Sequence, residues 1–177
     1  VNSAAQTVTA QKYVSNHLNI LKAGTKEQPV LQKKGDKVRI DWGYMYVAVP
    51  KSDRSVQYIS TAGQAIVPFA TSSKVPKQKS AEGKGLVLNT MVSLGKIGTT
   101  VEEQVFMLGY DELYAVQYFN QNLQPWWKLD GSTMEEELSE AASDYHEVIQ
   151  QCQDFDEQLY QDALAAGGEK YAELCEL

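Results

Sequence analysis

Apolar and polar residues alternate with a period of two through most of the first 118 positions, and then change to a spacing of threes and fours. Residues 6–14 (QTVTAQKYV) place Val8 and Ala10 on one face, and 17–23 (HLNILKA) follow and end at Gly24. The Lys34-Gly35-Asp36 turn signal leads into residues 38–49 (VRIDWGYMYVAV), a run rich in β-branched and aromatic side chains that Pro50 ends. Gly43, inside that run, predicts a bulge or bend. Residues 55–60 (SVQYIS) and 64–69 (QAIVPF) are short strand candidates, and Pro68 assigns the second to a sheet edge. Residues 70–84 read as a solvated loop with four lysines. Residues 85–96 predict a strong strand with Leu86, Leu88, Val92 and Leu94 on one face. The GKIG turn then reverses the chain, so that 101–110 return as the hairpin partner of that strand, and 112–118 add a last one. Roughly seven to nine strands at such spacing are the pattern of an antiparallel β-sandwich.

Beyond Gly131 the period is helical. Met134, Leu138, Ala141, Tyr145, Val148, Cys152, Phe155, Leu159, Ala163 and Ala166 make one stripe. Ser132 and Glu135 have the spacing of a capping box, acids fill the first turn, and Gly167-Gly168 stops the helix. A second helix begins at Glu169. The expected class is therefore mainly β with C-terminal α: a sandwich over 1–131, a long connecting helix over 132–167, and the start of a further helical body at 168–177. The opening VNSAAQTVTA, without Met, and the short last helix suggest a piece of a longer polypeptide.

Charge divides at the same place. Residues 1–130 hold 15 Lys and Arg against 10 acids, whereas 131–177 hold one Lys against 13 acids. An acidic helical segment repels phosphates, and the basic excess of the first part is too dilute for a nucleic-acid footprint, so a nucleic-acid partner is not expected. No apolar run reaches the length of a membrane span.

Candidate chemistry is sparse. His17 and His146 stand in no ligand spacing, and Cys152 and Cys175 form no metal motif. The two cysteines read as buried or half-buried thiols, and pairing them requires a helical hairpin. Arg39 and Asp41 share a strand face and suit a same-face ion pair. Asp111 and Glu112 are adjacent, a poor geometry for paired acid–base work, and Asp111 in a turn is expected to bond backbone groups. The acids of the helix lack a calcium-loop pattern and read as a solvated face. No catalytic, cofactor-binding or metal-binding residue is assigned, and no cofactor is implied.

The densest stretch is 110–131 (YDELYAVQYFNQNLQPWWKLDG), with Tyr110, Tyr114, Tyr118, Phe119, Trp126 and Trp127. Its rings are expected to pack the joint between sheet and helix. The alternative is a stacking platform for carbohydrate or peptide, with Trp42, Tyr118, Trp126 and Trp127 as the ligand or interdomain contacts.

DWGYMYVAVP, then LGKIGTTVEEQVFMLGYDELYAVQYFNQNLQPWWKLDGSTMEEEL, then GGEKYAELCEL resemble, in order, the N-terminal domain of the glutaminase A type of secreted hydrolases. The resemblance implies a non-catalytic β-sandwich accessory domain, joined by a helix to a larger catalytic domain of helical hairpins in the same polypeptide. It implies a parent that hydrolyses L-glutamine, with catalytic residues beyond Leu177, and a secreted or periplasmic location.

Overall fold

The structure, a computed structural model, describes residues 5–33, 35 and 40–175. Among these are nine strands and three helices, and the class is the one the periodicity predicts: mainly antiparallel sheet, then a long helix and a short one. β1 (Val8–Ser15) and β2 (Leu18–Thr25) form a hairpin about the two-residue turn Asn16-His17, which takes His17 out of the strand and into solvent. β3 (Tyr44–Pro50) adds to β2, β7 (Met107–Asp111) to β3, and β5 (Ser80–Gly83) to the outer edge of β1. The five-stranded sheet therefore runs β5-β1-β2-β3-β7, all antiparallel. β4 (Ser55–Thr61) and β6 (Leu86–Val92) pair as a second sheet. β8 (Val116–Tyr118) and β9 (Gln121–Leu123) form a separate small hairpin.

The inner faces of the two larger sheets make the core. Ala10, Leu21 and Ile59 are buried at its centre, with Ala23, Val47, Ala81, Leu86 and Leu88 packed around them. Val8 and Ala10 are buried as their alternation requires.

Four local expectations change. Residues 101–110 do not return against the 85–96 strand: β6 pairs β4, and β7 crosses to the far edge of the other sheet. Each strand of that false hairpin carries a real signal, but alternation does not say which partner a strand takes. The 64–69 segment is no edge strand; it forms a 3₁₀ turn, Ala62–Gln64, and the short helix α1 (Val67–Thr71), with Pro68 in its first turn, where a missing N–H costs nothing. The lysine-rich loop is shorter than read, since its end is β5. Strand β3 starts only at Tyr44, after Gly43. Gly43 takes φ +87°, and a Cβ there would lie 2.4 Å from the Asp111 carbonyl oxygen. Lys34, Asp36, Arg39 and the start of the 38–49 run lie outside the described residues, so only Asp41 of the proposed pair is seen; its carboxylate meets Lys33 at 3.0 Å.

α2 (Met134–Gly167) is 34 residues long, about 50 Å. Its capping box lies one residue later than the sequence suggested. Thr133 Oγ1 accepts from the Glu136 N–H at 3.3 Å, and the Thr133 N–H donates to the Glu136 carboxylate at 2.8 Å. Ser132 instead bonds the Asp130 carboxylate through its N–H and its hydroxyl.

Two compact units result, Val1–Ser139 and Glu140–Leu177. In the second, Gln150–Asp154, Glu147–Gln151, Gln158–Asp162 and Glu157–Gln161 are side-chain pairs one turn apart that tie the polar surface of α2. The Gly168 N–H bonds Leu164 O at 2.9 Å, and α3 (Glu169–Cys175) follows. Cys152 and Cys175 are free and exposed, not the buried thiols expected. The cause is visible in their neighbours: Val148, Phe155 and Leu159 of the stripe and Leu174 of α3 are exposed too, so these positions have no cover among the described residues.

Gly43→Ala is expected to lower the stability of the sandwich unit by about 2–3 kcal/mol in urea denaturation, because strain at positive φ adds to the clash with Asp111. Glu136 is held below the ordinary carboxylate range by the Thr133 hydroxyl and N–H. A depressed folded value means its contribution is intact above pH 4.5, the ordinary value, and is lost as pH falls below it through the lowered value. Helicity at the start of α2 is expected to fray in that acid range, and Thr133→Ala to remove this pH dependence, as read by backbone amide shifts.

Candidate functional site

The stretch that sequence singled out is placed by the end of the five-stranded sheet. β7 is the edge strand beside β3, and the chain leaves it at Asp111. The Asp111 carboxylate accepts the Leu113 N–H at 2.8 Å, the turn bond expected of it, and meets the Lys128 ammonium at 2.5 Å. Both side chains are largely withdrawn from water, 11% and 16% exposed. The pair pins the two ends of the excursion 112–127 to one point.

Trp42 anchors the same place from below. Its ring is only 7% exposed, and Nε1 donates to the Glu112 carbonyl at 2.6 Å. The Tyr110 hydroxyl donates to the Trp42 carbonyl. Trp42 is therefore part of the packing of the sandwich and presents no ring to a ligand, which corrects its place among the contact candidates. Burial raises the Tyr110 hydroxyl pKa first, with the Glu112, Asp41 and Asp111 carboxylates adding to the shift.

On the other side, the first turn of α2 rests on β7. A Cβ on Gly109 would lie 2.7 Å from Met134 Sδ and 3.5 Å from Leu138 Cδ2, so bare backbone provides the seat for these two buried side chains. Tyr13 of β1 donates to Glu135 at 2.5 Å. Its hydroxyl is raised far above the ordinary value by burial first, then by that bond.

Between these anchors the chain is exposed. Residues 113–127 hold no charged side chain. β8 and β9 join through Phe119-Asn120, both at positive φ (45° and 62°), the geometry of a type I′ turn. Phe119 is thereby thrown outward, 82% exposed, with the Tyr118 ring edge-on at 4.5 Å. Pro125 is buried and starts the 3₁₀ turn Trp126–Lys128, which leaves Trp126 83% exposed. Trp127 is half-buried, with the Lys128 ammonium 5.0 Å from its ring centroid. Phe106, Leu108, Val116, Leu123 and Leu129 are exposed as well. Of the four sequence candidates, Tyr118 and Trp126 thus stand on the surface, Trp127 at its margin and Trp42 inside. The joint is packed by Trp42, Gly109, Met134 and Leu138, whereas the Tyr118, Phe119 and Trp126 rings face outward. Lys128 and Gly109 were missed; the signal for Lys128 was a lone cation after a charge-free run.

No group of three or more His, Cys, Asp or Glu gathers to hold a metal among the described residues. No helix searched is long and apolar enough to cross a membrane.

Breaking the withdrawn ion pair by Asp111→Ala or Lys128→Ala is expected to cost about 3 kcal/mol in chemical denaturation, since either leaves one charge poorly hydrated and unpaired. Lys26→Ala, which opens the exposed and solvent-screened Lys26–Glu82 pair, is expected to leave the denaturation midpoint essentially unchanged.

A search of curated proteins and a search of solved structures each returned no match. A family model described as a domain of unknown function (DUF5127) matches residues 1–162, taking in the sandwich, the aromatic excursion and most of α2, and the chain belongs to that family.

Proposed function

We propose that the chain is a non-catalytic accessory domain of a glutaminase-like hydrolase, and that its exposed aromatic excursion docks on the catalytic helical domain of the same polypeptide. One observation carries this reading. A charge-free segment of 15 residues, pinned at both ends by a withdrawn ion pair, holds Tyr118, Phe119, Trp126 and their aliphatic neighbours out in water. Aromatic enrichment and charge depletion are the composition of interface centres, and an apolar patch of this kind needs a cover. The motif resemblance supplies the identity of the cover, a larger domain of helical hairpins, and with it a secreted or periplasmic setting. Glutamine hydrolysis is assigned to that larger domain.

A second reading has its own observation. Trp126 is exposed and follows closely in sequence on the amides Gln121, Asn122 and Gln124, also exposed, residue types suited to stacking on a sugar face and bonding its hydroxyls. A neutral glycan array probed with the chain separates the two: docking predicts no hit that Trp126→Ala abolishes.

The chain alone is expected to release no ammonia from L-glutamine. Mixed with a separately produced helical domain of the parent polypeptide, it is expected to bind, and Phe119→Ser with Trp126→Ser to weaken binding by about tenfold or more while leaving the circular dichroism spectrum unchanged. Turnover by the chain, or undiminished binding by the double variant, contradicts the reading.

A further inference from the structure

A second feature lies away from the aromatic face, at the open edge of β4. The Ser93 N–H bonds Arg54 O at 2.9 Å, between the two residues that face each other just beyond the Ser55–Val92 pair. In an antiparallel ladder this fixes the parity. The backbone groups of Arg54, Val56 and Tyr58 face β6, and those of Ser55, Gln57 and Ile59 face away from it. No strand covers that side of β4 among the described residues. Side chains occupy two of its carbonyls instead: Lys12 Nζ donates to Gln57 O at 3.0 Å, and Gln78 Nε2 to Ile59 O at 3.1 Å.

A cavity of about 470 Å³ opens along the Ser55–Gln57 part of this edge, a volume in the usual range for small-molecule sites. Val14, Val56 and Tyr13 give it apolar walls, and Lys12 and Lys79 give it charge. The lining contains no Asp or Glu. Neither lysine forms an ion pair among the described residues. Lys12 is held in place by its bond to the β4 edge yet keeps two further N–H donors. Gln57 Oε1 is fully buried, so it does not oppose an anion from the cavity floor.

We propose that this cavity binds a small carboxylate with an apolar tail, its carboxylate between the Lys12 and Lys79 ammonium groups and its tail against Val14 and Val56. The lining carries two cations and no acid of its own; Glu135 borders an adjoining hollow that shares Lys12, Tyr13 and Lys79, and its carboxylate is engaged by the Tyr13 hydroxyl, so the cavity favours a carboxylate over an ammonium. The site is independent of the aromatic docking face, and its test is independent too.

Titration of the chain with sodium hexanoate, followed by backbone amide shifts, tests it. Saturable shifts at Val14, Ser55, Val56 and Gln57 are expected, with a dissociation constant of about 1–10 mM. Hexylammonium is expected to give none of them. Lys79→Gln, on an exposed side chain, is expected to weaken hexanoate by about threefold or more, and Lys12→Gln by more than Lys79→Gln. If Lys12→Gln unfolds the sandwich, Lys79→Gln alone decides. Shifts that do not saturate, equal response to hexylammonium, or unchanged affinity in Lys79→Gln overturns the proposal.

Discussion

The seat of α2 on the bare backbone of Gly109 is the contact on which the arrangement depends. A side chain at that position would occupy the space of Met134 Sδ, and Met134 and Leu138 are buried only because the strand is flat there. β7 can carry the helix because β3 holds it through the Tyr44–Asp111 to Ala48–Met107 register. That register in turn needs Gly43 to pass within reach of the Asp111 carbonyl. A glycine just before β3 and one within β7, each set by close approach, thus bring the end of the sheet and the start of the helix to one place. Asp111 and Lys128 then lock the intervening chain into a loop with closed ends. Once the ends are fixed, the apolar residues between them have no core left to enter, and they are displayed.

How legible this was differs by element. The change of period near Gly131 marked the class, sheet first and then a long helix and a short one, because alternation and helical spacing are properties of single segments. Strand pairing is not. β6 and the 101–110 segment looked like neighbours because a turn signal lay between them, yet their partners are β4 and β3, 25 or more residues distant in sequence. The aromatic excursion was recognised as the organising stretch but read as packing. Its rings are apolar enough for a core, and composition alone does not tell a core from a covered interface. Trp42 shows the converse: it was counted with the surface candidates, while its indole N–H had a carbonyl partner 70 residues on. A capping box one residue off and two exposed cysteines complete the pattern. Local chemistry was found, but its environment was not.

The same features bear on function. The aromatic face pinned by the Asp111–Lys128 pair is the feature on which the proposed docking role rests. The DUF5127 family match ends within α2 and so treats the sandwich and most of the helix as one inherited piece. Our proposal that this piece serves a glutaminase-like parent rests on the motif order, and its docking face rests on exposure. These are separate supports, and a failure of one leaves the other to be judged by itself.

The central claim is that the Phe119–Trp126 face is covered in the parent polypeptide. Hydroxyl-radical footprinting of Trp126, read by mass spectrometry in this chain and in a polypeptide that includes the helical domain, tests it most directly. The account predicts strong labelling of Trp126 in the chain alone and at least about tenfold protection in the longer polypeptide, with Trp42 slow in both. Equal labelling of Trp126 in the two would contradict it.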